Sequence, residues 1–457
     1  MSITAQLNPD DLSARTGTLI DRRQFGAAAR LIPAIASLAP DRPLAARLNA
    51  RLALAQGNMA DAAGKLDEAL GTWPEDGVLL RLRASIALAS DDAARAALAA
   101  ADAVIADSGD AEAKSLLGRA LLKLGHADQA RLCLQEAVTA NPQDVPAILA
   151  LAEVLPEQAA LLVASAAARM PKVASLHNRL MQILIDRNAP EAACGAAEAA
   201  GSASALDVEG HLLAGHAAAM LGEWEKARNF WREVLRLAPR HPSALYRLAA
   251  EQARRGDRLD SALIALANDA RADVMELAAL AGGTILPGRA RAAFSTAKIN
   301  GPVLDLGCGT GLCAIAGRDL PVSAWDGVEA SPRLAAIARD RQLYRNLQEG
   351  DPVAFLHRET GQWPGISFNF TAGLNGGLSD FFIALASRLA PGGIAVGAFV
   401  AAEANRFGPF GCFEHSEGHL RSSAAAACLS LELGEVETLM TVDGLAMRGW
   451  IVQLNAP

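Results

Sequence analysis

The chain has 457 residues, about three times the length of an average domain, so at least two folding units are expected. Hydrophobic residues make up 51% and charged residues 20%, and the mean hydropathy is +0.18, which excludes a disordered chain. Lys and Arg total 42 against 50 Asp and Glu. The resulting net charge of −8 argues against a nucleic acid and against an anionic membrane surface as a partner.

The N-terminal sequence MSITAQLNPDDLSAR lacks the basic and apolar regions of a secretory leader. No run of about 18 apolar residues follows it, so membrane insertion is not expected. The six cysteines form no CxxC pair, which favours reduced thiols over a metal site. We therefore expect a cytoplasmic protein with no bound metal.

The first 270 residues follow a period of 34. Proline or another turn residue recurs at this spacing, with one shorter step of 29 after the fourth marker: Pro40, Pro74, Ser108, Pro142, Pro171, Ala205 and Pro239. The residue twelve positions before every marker is alanine: Ala28, Ala62, Ala96, Ala130, Ala159, Ala193 and Ala227. This pattern predicts seven units of two antiparallel helices that meet at small side chains, with an eighth unit after them.

The turn within each unit is marked by residues that tolerate a left-handed backbone. Gly57, Gly125 and Gly222 lie seventeen positions before their markers, and Asn188 occupies the matching place in another unit. The fifth unit is short and carries Pro156 where a turn glycine is usual.

These units resemble the tetratricopeptide repeat (TPR) family, as in GRALLKLGHADQARLCLQEAVTANP at residues 118–142. The resemblance implies an all-α TPR superhelix over residues 1–275. Its concave face is expected to dock a protein or peptide. The alternative is a scaffold whose repeats only stack on one another.

Residues 276–300 lose the period and contain GGTILPG, which indicates a linker. The run PVLDL that follows predicts a buried parallel strand, and it leads directly into the loop at residues 307–311, GCGTG, before a helical pattern. Such a loop lets a ligand approach the backbone and the first N–H groups of a helix. The spacing GTGLCA also satisfies the weaker, alanine form of the dinucleotide-binding fingerprint.

The longer match VLDLGCGTG resembles motif I of the class I S-adenosylmethionine-dependent methyltransferases. Asp305, just before the glycines, suits the cationic end of S-adenosylmethionine and would repel a pyrophosphate. The charge therefore favours S-adenosylmethionine over a dinucleotide. The resemblance covers residues 301–457 and implies an α/β, Rossmann-like methyltransferase domain, joined to the repeats as in bacterial TPR-methyltransferase proteins.

The implied cofactor site comprises the glycine loop and the ends of the next two strands: Asp305, Gly307, Cys308, Gly309, Gly311, Glu329, Ala330 and Asp351. Glu329 ends a strand at residues 322–328, where its carboxylate can accept both ribose hydroxyls, and the rival acid Asp326 lies inside that strand. Ser331 is expected to cap the next helix. The family often places an acid such as Asp351 near the adenine amino group, and its alternative role is the N-cap of a helix at residues 352–357.

The methyl acceptor has no recognisable motif. His415 is the candidate general base, because an imidazole of near-neutral pKa can take a proton from the acceptor; its alternative is a packing or capping role before a helix from Ser416. Asn369 stands where related enzymes usually carry an acid, within the segment 366–378. That departure favours the alternative function, a TPR interaction scaffold with a catalytically degenerate methyltransferase domain.

The end of the chain fits the same family. Residues 391–393, PGG, resemble the turn before the fifth strand, and residues 435–442 and 447–454 predict a terminal antiparallel hairpin. Helices that close over the cofactor often precede the first strand in this family. Here either the last repeats, near residues 242–285, form that lid, or the site is open.

Overall fold

The computed structural model describes residues 8–255, 258–369 and 373–457. They form two compact units, the first ending at Arg179 and the second beginning at Leu180. The division falls inside a repeat helix, whereas the sequence predicted a domain boundary at residues 276–300. The last repeats therefore belong to the same compact unit as the C-terminal domain.

The repeat region is a series of helix pairs with one short hairpin. Its elements are α1 (Pro9–Asp21), α2 (Phe25–Leu38), α3 (Leu44–Ala55), α4 (Met59–Thr72), α5 (Gly77–Ala89), α6 (Ala93–Ala106), α7 (Ala111–Lys123), α8 (Ala127–Ala140), α9 (Val145–Val154), α10 (Ala159–Arg169), α11 (Ala174–Asp186), α12 (Pro190–Ser202), α13 (Val208–Met220), α14 (Trp224–Leu237), α15 (Pro242–Ala253), β1 (Arg254–Arg255), β2 (Arg258–Leu259) and α16 (Ser261–Ala281). Seven pairs precede α15 and α16, which form the eighth. The predicted all-helical repeat is thus confirmed.

Small residues set the helix packing as the period predicts. All seven marker alanines are buried, the most accessible being Ala159 at 3%. The turn glycines Gly57, Gly125 and Gly222 have φ of 79°, 82° and 75°, and Asn188 has φ of 54°. In the short fifth unit, α9 and α10 have only 10 and 11 residues.

One close approach in the seventh pair can be tested directly. A Cβ at Gly215 in α13 would lie 2.4 Å from Nε1 of the buried Trp231 in α14. We expect Gly215→Ala to lower the free energy of unfolding by about 1–3 kcal/mol through overpacking. The matched control is Gly195→Ala in α12, where the new methyl group meets nothing within 4 Å and improves helix propensity by about 1 kcal/mol. Equal urea midpoints for the two variants would contradict the expectation.

The C-terminal elements alternate between helix and strand. They are α17 (Leu286–Thr296), β3 (Val303–Leu306), α18 (Leu312–Ala316), β4 (Trp325–Glu329), α19 (Pro332–Asp340), β5 (Asn346–Glu349), α20 (Pro352–Arg358), β6 (Trp363–Phe368), α21 (Ser379–Arg388), β7 (Leu389–Val400), β8 (Arg406–Phe407), β9 (Phe413–Glu414), α22 (Glu417–Ala426), β10 (Ser430–Leu433), β11 (Glu437–Val442) and β12 (Leu445–Asn455). The terminal hairpin β11–β12 is antiparallel, as predicted.

Eight of these strands form a mixed sheet in the order β10-β12-β7-β6-β3-β4-β5, with β11 paired to β12. Strands β3 to β7 are mutually parallel, and β12 runs antiparallel to β7. Helices α20 to α22 pack on one face of the sheet, and α17 and α18 pack on the other. The chain leaves β3 first towards β5 and later towards β7, so the order reverses between β3 and β6, where open parallel sheets bind ligands.

The expected linker at residues 276–300 is wrong as a description of this segment. It contains the end of α16 and all of α17, which buries Leu286, Ala290 and Phe294 at helical spacing. Gly282 ends α16, and Pro287 lies in the first turn of α17. Glycine and proline are helix-boundary residues at these positions rather than linker residues.

Candidate functional site

The glycine loop lies at the carboxyl end of β3, beside the point where the strand order reverses. Gly307, Gly309 and Gly311 have φ of 68°, 56° and 94°, a conformation that other residues rarely adopt. A Cβ at Gly309 would meet nothing within 4 Å, so there is open space above the middle of the loop. The Cys308 side chain is buried, and burial raises the pKa of its thiol well above the usual value. Cys308 is therefore a packing residue within the loop.

Glu329 ends β4 and is joined to the glycine loop. Its Oε2 accepts a hydrogen bond from the Gly309 amide at 2.8 Å, and Oε1 accepts one from the Ser331 amide at 2.8 Å. Burial raises the pKa of Glu329, the backbone N–H groups of Ser331, Gly309 and Ala330 oppose that shift, and the charge of Asp305 adds to it. Each carboxylate oxygen has a second lone pair, so the group can still accept hydrogen bonds from a ligand.

Asp305 is fully buried below the loop. Its Oδ1 accepts a hydrogen bond from the Ser367 hydroxyl at 2.7 Å, and Oδ2 accepts one from the Tyr344 hydroxyl at 2.8 Å. Burial raises the pKa of Asp305 to about 6, although both hydroxyl donors favour the ionised form. The Tyr344 ring also lies against Gly311, where a Cβ would be 3.3 Å from it. Asp305 therefore places a carboxylate below the loop, and it holds the Tyr344 ring that packs against Gly311.

Two other acids have structural partners. Asp326, inside β4, accepts hydrogen bonds from Arg345 at 3.0 Å and from the Trp363 indole at 2.9 Å. Asp351 is the N-cap of α20, with its Oδ1 accepting from the Ala354 amide at 2.8 Å, and it also pairs with Arg258 through both carboxylate oxygens. The capping alternative for Asp351 therefore describes its local structure. Its proximity to an adenine stays a prediction.

The eighth repeat contacts the loops at this edge of the sheet. The Asp269 carboxylate of α16 accepts hydrogen bonds from the Ser331 hydroxyl and from the Arg333 amide, immediately after Glu329. Arg258, which pairs with Asp351, also forms a backbone bridge with Asn375. These contacts agree with a lid formed by the last repeats on the β4, β5 and Asn375 side of the site. Residues 370–372 of the predicted substrate segment 366–378 lie outside the described residues.

His415 lies in the interior of the domain. It has no solvent exposure, and its ring packs edge-on to Phe399 at 5.3 Å and stacks on His419 at 5.6 Å between centroids. Burial and the neighbouring His419 lower the pKa of His415 to about 4, outweighing the Asn375 backbone, which favours the protonated ring. The helix that follows is capped by Ser416, so of its two alternatives the packing role fits these contacts. A role as general base stays a prediction.

The inner helix of the eighth repeat, α15, is in contact with loops of the C-terminal domain. Asp443, in the turn between β11 and β12, accepts hydrogen bonds from Ser243 at 2.6 Å and from the buried Arg247 at 2.9 Å. Tyr246 donates to the Gly411 carbonyl at 3.3 Å. The repeat surface that usually docks a ligand here holds two loops of the same chain.

Within the described residues, no group of three or more His, Cys, Asp or Glu side chains is arranged to hold a metal ion. The described helices include none that combines the length and the apolar character needed to cross a bilayer. This finding does not test the expected cytoplasmic location.

Comparison with known proteins identifies the repeats. Residues 87–155 match the family model described as Tetratricopeptide repeat. This match covers α6 to α9 and confirms the predicted family for that part of the chain. No functionally curated protein matches the chain.

Several solved structures are similar to parts of this chain. A TPR protein from Parabacteroides merdae has 17% identity and a TM-score of 0.39, covering 50% of this chain and 93% of its own. The YcgJ protein from Bacillus subtilis has 14% identity and a TM-score of 0.31, covering 37% of this chain and 98% of its own. The structure described as "Conversion of a Disulfide Bond into a Thioacetal Group during Echinomycin Biosynthesis" has 22% identity and a TM-score of 0.30, covering 36% of this chain and 81% of its own. No function is transferred from similarities at this level.

Proposed function

We propose that residues 301–457 form a Rossmann-like, class I S-adenosylmethionine-dependent methyltransferase domain. The observation that carries this proposal is the hydrogen bond between the Gly309 amide and Glu329, which joins the glycine loop of β3 to the acid at the tip of β4. The glycine loop of this pair lies beside the point where the strand order reverses, with open space above Gly309. The adenosine of the cofactor would lie there, with its ribose hydroxyls donating to Glu329.

Charge and helix length favour this cofactor over a dinucleotide. Asp305 and Glu329 bring two buried carboxylates to the loop, which attract a sulfonium and an ammonium group and repel a pyrophosphate. The helix after the loop, α18, has only five residues. So short a helix offers a weak dipole for a pyrophosphate, because the dipole grows with the number of aligned peptide units.

The chain's own residues would position the methyl group rather than activate it. Methyl transfer is an in-line displacement at a sulfonium, so the acceptor atom must be held in line with the methyl group. Asn369 at the tip of β6 and the partly exposed His419, which stacks on the buried His415, would line the acceptor side. The neutral His415 ring could accept a proton there if the acceptor carries one.

The repeats of the first unit, α1 to α10, are the part proposed to dock a protein, peptide or carrier-linked acceptor. The inner helix of the eighth repeat, α15, holds loops of the same chain through Tyr246 and Arg247. A partner therefore needs a different stretch of the array. The TPR match at residues 87–155 lies in that stretch.

The second candidate function is an interaction scaffold whose C-terminal domain performs no chemistry. Two observations favour it: Asn369 stands where an acid is usual, and His415 has no exposed surface. This scaffold would still hold partners on its repeats. A methylation assay separates the candidates once cofactor binding is known.

The test is isothermal titration of the full-length protein with S-adenosylmethionine, S-adenosylhomocysteine and NAD. We expect the first two to bind and NAD not to bind. Glu329→Gln should weaken S-adenosylmethionine binding about 10- to 100-fold, because a ribose hydroxyl would meet an amide N–H in place of a carboxylate oxygen.

The matched control is Glu349→Gln, the same change at the register partner of Glu329 on β5, where the side chain is exposed. This variant should bind like the wild type. Absence of S-adenosylmethionine binding at about millimolar concentration would overturn the cofactor assignment. Binding of NAD in its place would restore the dinucleotide alternative.

A further inference from the structure

Helix α16 carries a continuous apolar stripe on its exposed side. Its members are Leu263, Leu266, Val274, Leu277 and Leu280, which are 39%, 64%, 46%, 70% and 56% exposed. Among the described helices, no other carries more than two exposed large hydrophobic residues. Asp273, the one charged residue that α16 exposes, is already paired with Arg333 of the same chain. A stripe of this length on a single helix marks an interaction surface.

Four of the five members of the stripe are placed symmetrically along the helix. Leu266 and Val274 each lie four residues from Ala270, and Leu263 and Leu277 each lie seven residues from it. Ala270 itself is exposed, and its small side chain allows a second backbone to approach closely. In an antiparallel pair of identical helices that cross at Ala270, Leu263 meets Leu277 and Leu266 meets Val274. Such a self-complementary patch is what a two-fold interface requires.

We propose that α16 pairs with α16 of a second copy of the chain, antiparallel and centred on Ala270. The five large side chains expose roughly 500 Å² per copy, so the pair would bury about 1,000 Å² in total, the lower end of specific interfaces. The interface is apolar except for Asp273, whose charge is paired with Arg333 of the same chain. A second copy is therefore the occupant that the pattern fits.

The pairing would act close to the candidate cofactor site. The side of α16 next to the stripe carries Asp269 and Glu276, which bind Ser331 and Arg341 around α19. A dimer through α16 would hold this helix in place over the loop that follows Glu329. The pairing itself does not depend on the proposed enzymatic function.

The first test is the mass of the full-length protein in solution, by sedimentation velocity and light scattering. We expect a mass of about twice the 47.5 kDa of the chain at protein concentrations of about 0.1 mM, and a monomer for the double variant Leu266→Glu, Leu277→Glu. The matched control is Leu98→Glu, Leu161→Glu, two leucines on α6 and α10 that are 71% and 77% exposed, and it should remain a dimer. A monomeric wild type, or a Leu266→Glu, Leu277→Glu variant that stays dimeric, would overturn the proposal.

The second test fixes the geometry without weakening the stripe. Ala270→Cys places two thiols at the crossing point, so mild oxidation should link two copies covalently. Ala278→Cys is the control: this position is also exposed, but in the antiparallel pair its two copies lie about 24 Å apart, given a rise of about 1.5 Å per residue. Equal cross-linking of both variants, or cross-linking no greater than in the wild type with its exposed Cys428, would contradict the two-fold arrangement.

Discussion

Replacing Asp443 with alanine is expected to lower the free energy of unfolding of the second compact unit by about 3 kcal/mol. Asp443 is the ion-pair partner of Arg247, whose side chain is 2% exposed. Burial already lowers the pKa of Arg247, which reports the cost of desolvating its charge. Without Asp443 the guanidinium group loses its ion pair, and Ser243 loses its acceptor. The measurement is urea denaturation of the full-length protein followed by far-UV circular dichroism.

Two controls separate this effect from general damage. Asp443→Asn keeps an acceptor oxygen and tolerates the left-handed backbone, φ of 54°, that this turn needs. It should therefore lower the free energy of unfolding by less than Asp443→Ala does. Asp319→Ala removes an exposed partner of Arg291 and should leave the urea midpoint nearly unchanged. If Asp443→Ala unfolds at the same urea concentration as Asp319→Ala, the buried Arg247–Asp443 pair does not hold α15 and the β11–β12 turn together.

A double-mutant cycle identifies the source of the loss. Arg247→Met removes the buried charge while keeping a long apolar side chain. Combined with Asp443→Ala, it should recover part of the stability lost by Asp443→Ala alone, because no unpaired charge then remains buried. Full additivity of the two changes would mean that the residues do not interact.

Local sequence patterns predicted a large part of this structure. The repeat period, the buried alanines and the left-handed turns depend on residues within one helix pair. Likewise the glycine loop, Glu329 at the end of β4 and the Ser331 cap follow from a strand, a turn and a helix that adjoin in sequence. Patterns of this kind are visible because the interacting residues are a few positions apart.

The remaining features depend on contacts between distant residues. Tyr344 reaches Asp305 across 39 positions, Asp269 reaches Ser331 across 62, and Arg247 reaches Asp443 across 196. No spacing rule marks any of these pairs. The Asp443–Gly444 dipeptide does predict a hairpin turn, but not that the turn would lie on a repeat. The expectation of an adenine-facing Asp351 likewise came from the family resemblance, and its bond to Arg258 needs the folded chain.

The charge of Asp305 is expected to make the stability of the C-terminal domain fall as the pH rises from about 4 to about 6. The pKa of this carboxyl is raised from 3.8 to about 6 in the folded protein. In that range the folded state therefore keeps a proton that the unfolded chain has lost, and each rise in pH favours unfolding. A shift of this size corresponds to a loss of about 2 kcal/mol between pH 4 and pH 7.

Asp305→Asn isolates this contribution, because the amide has nearly the same shape and does not titrate. Thermal denaturation of both proteins from pH 4 to pH 7 should show the variant gaining about 2 kcal/mol relative to the wild type as the pH rises. The control is Asp326→Asn. Burial alone would raise the pKa of Asp326, but Arg345 and Trp363 lower it below 3.8, so the difference between this variant and the wild type should stay constant over the same range. A constant difference for Asp305→Asn as well would mean that folding does not raise the pKa of Asp305.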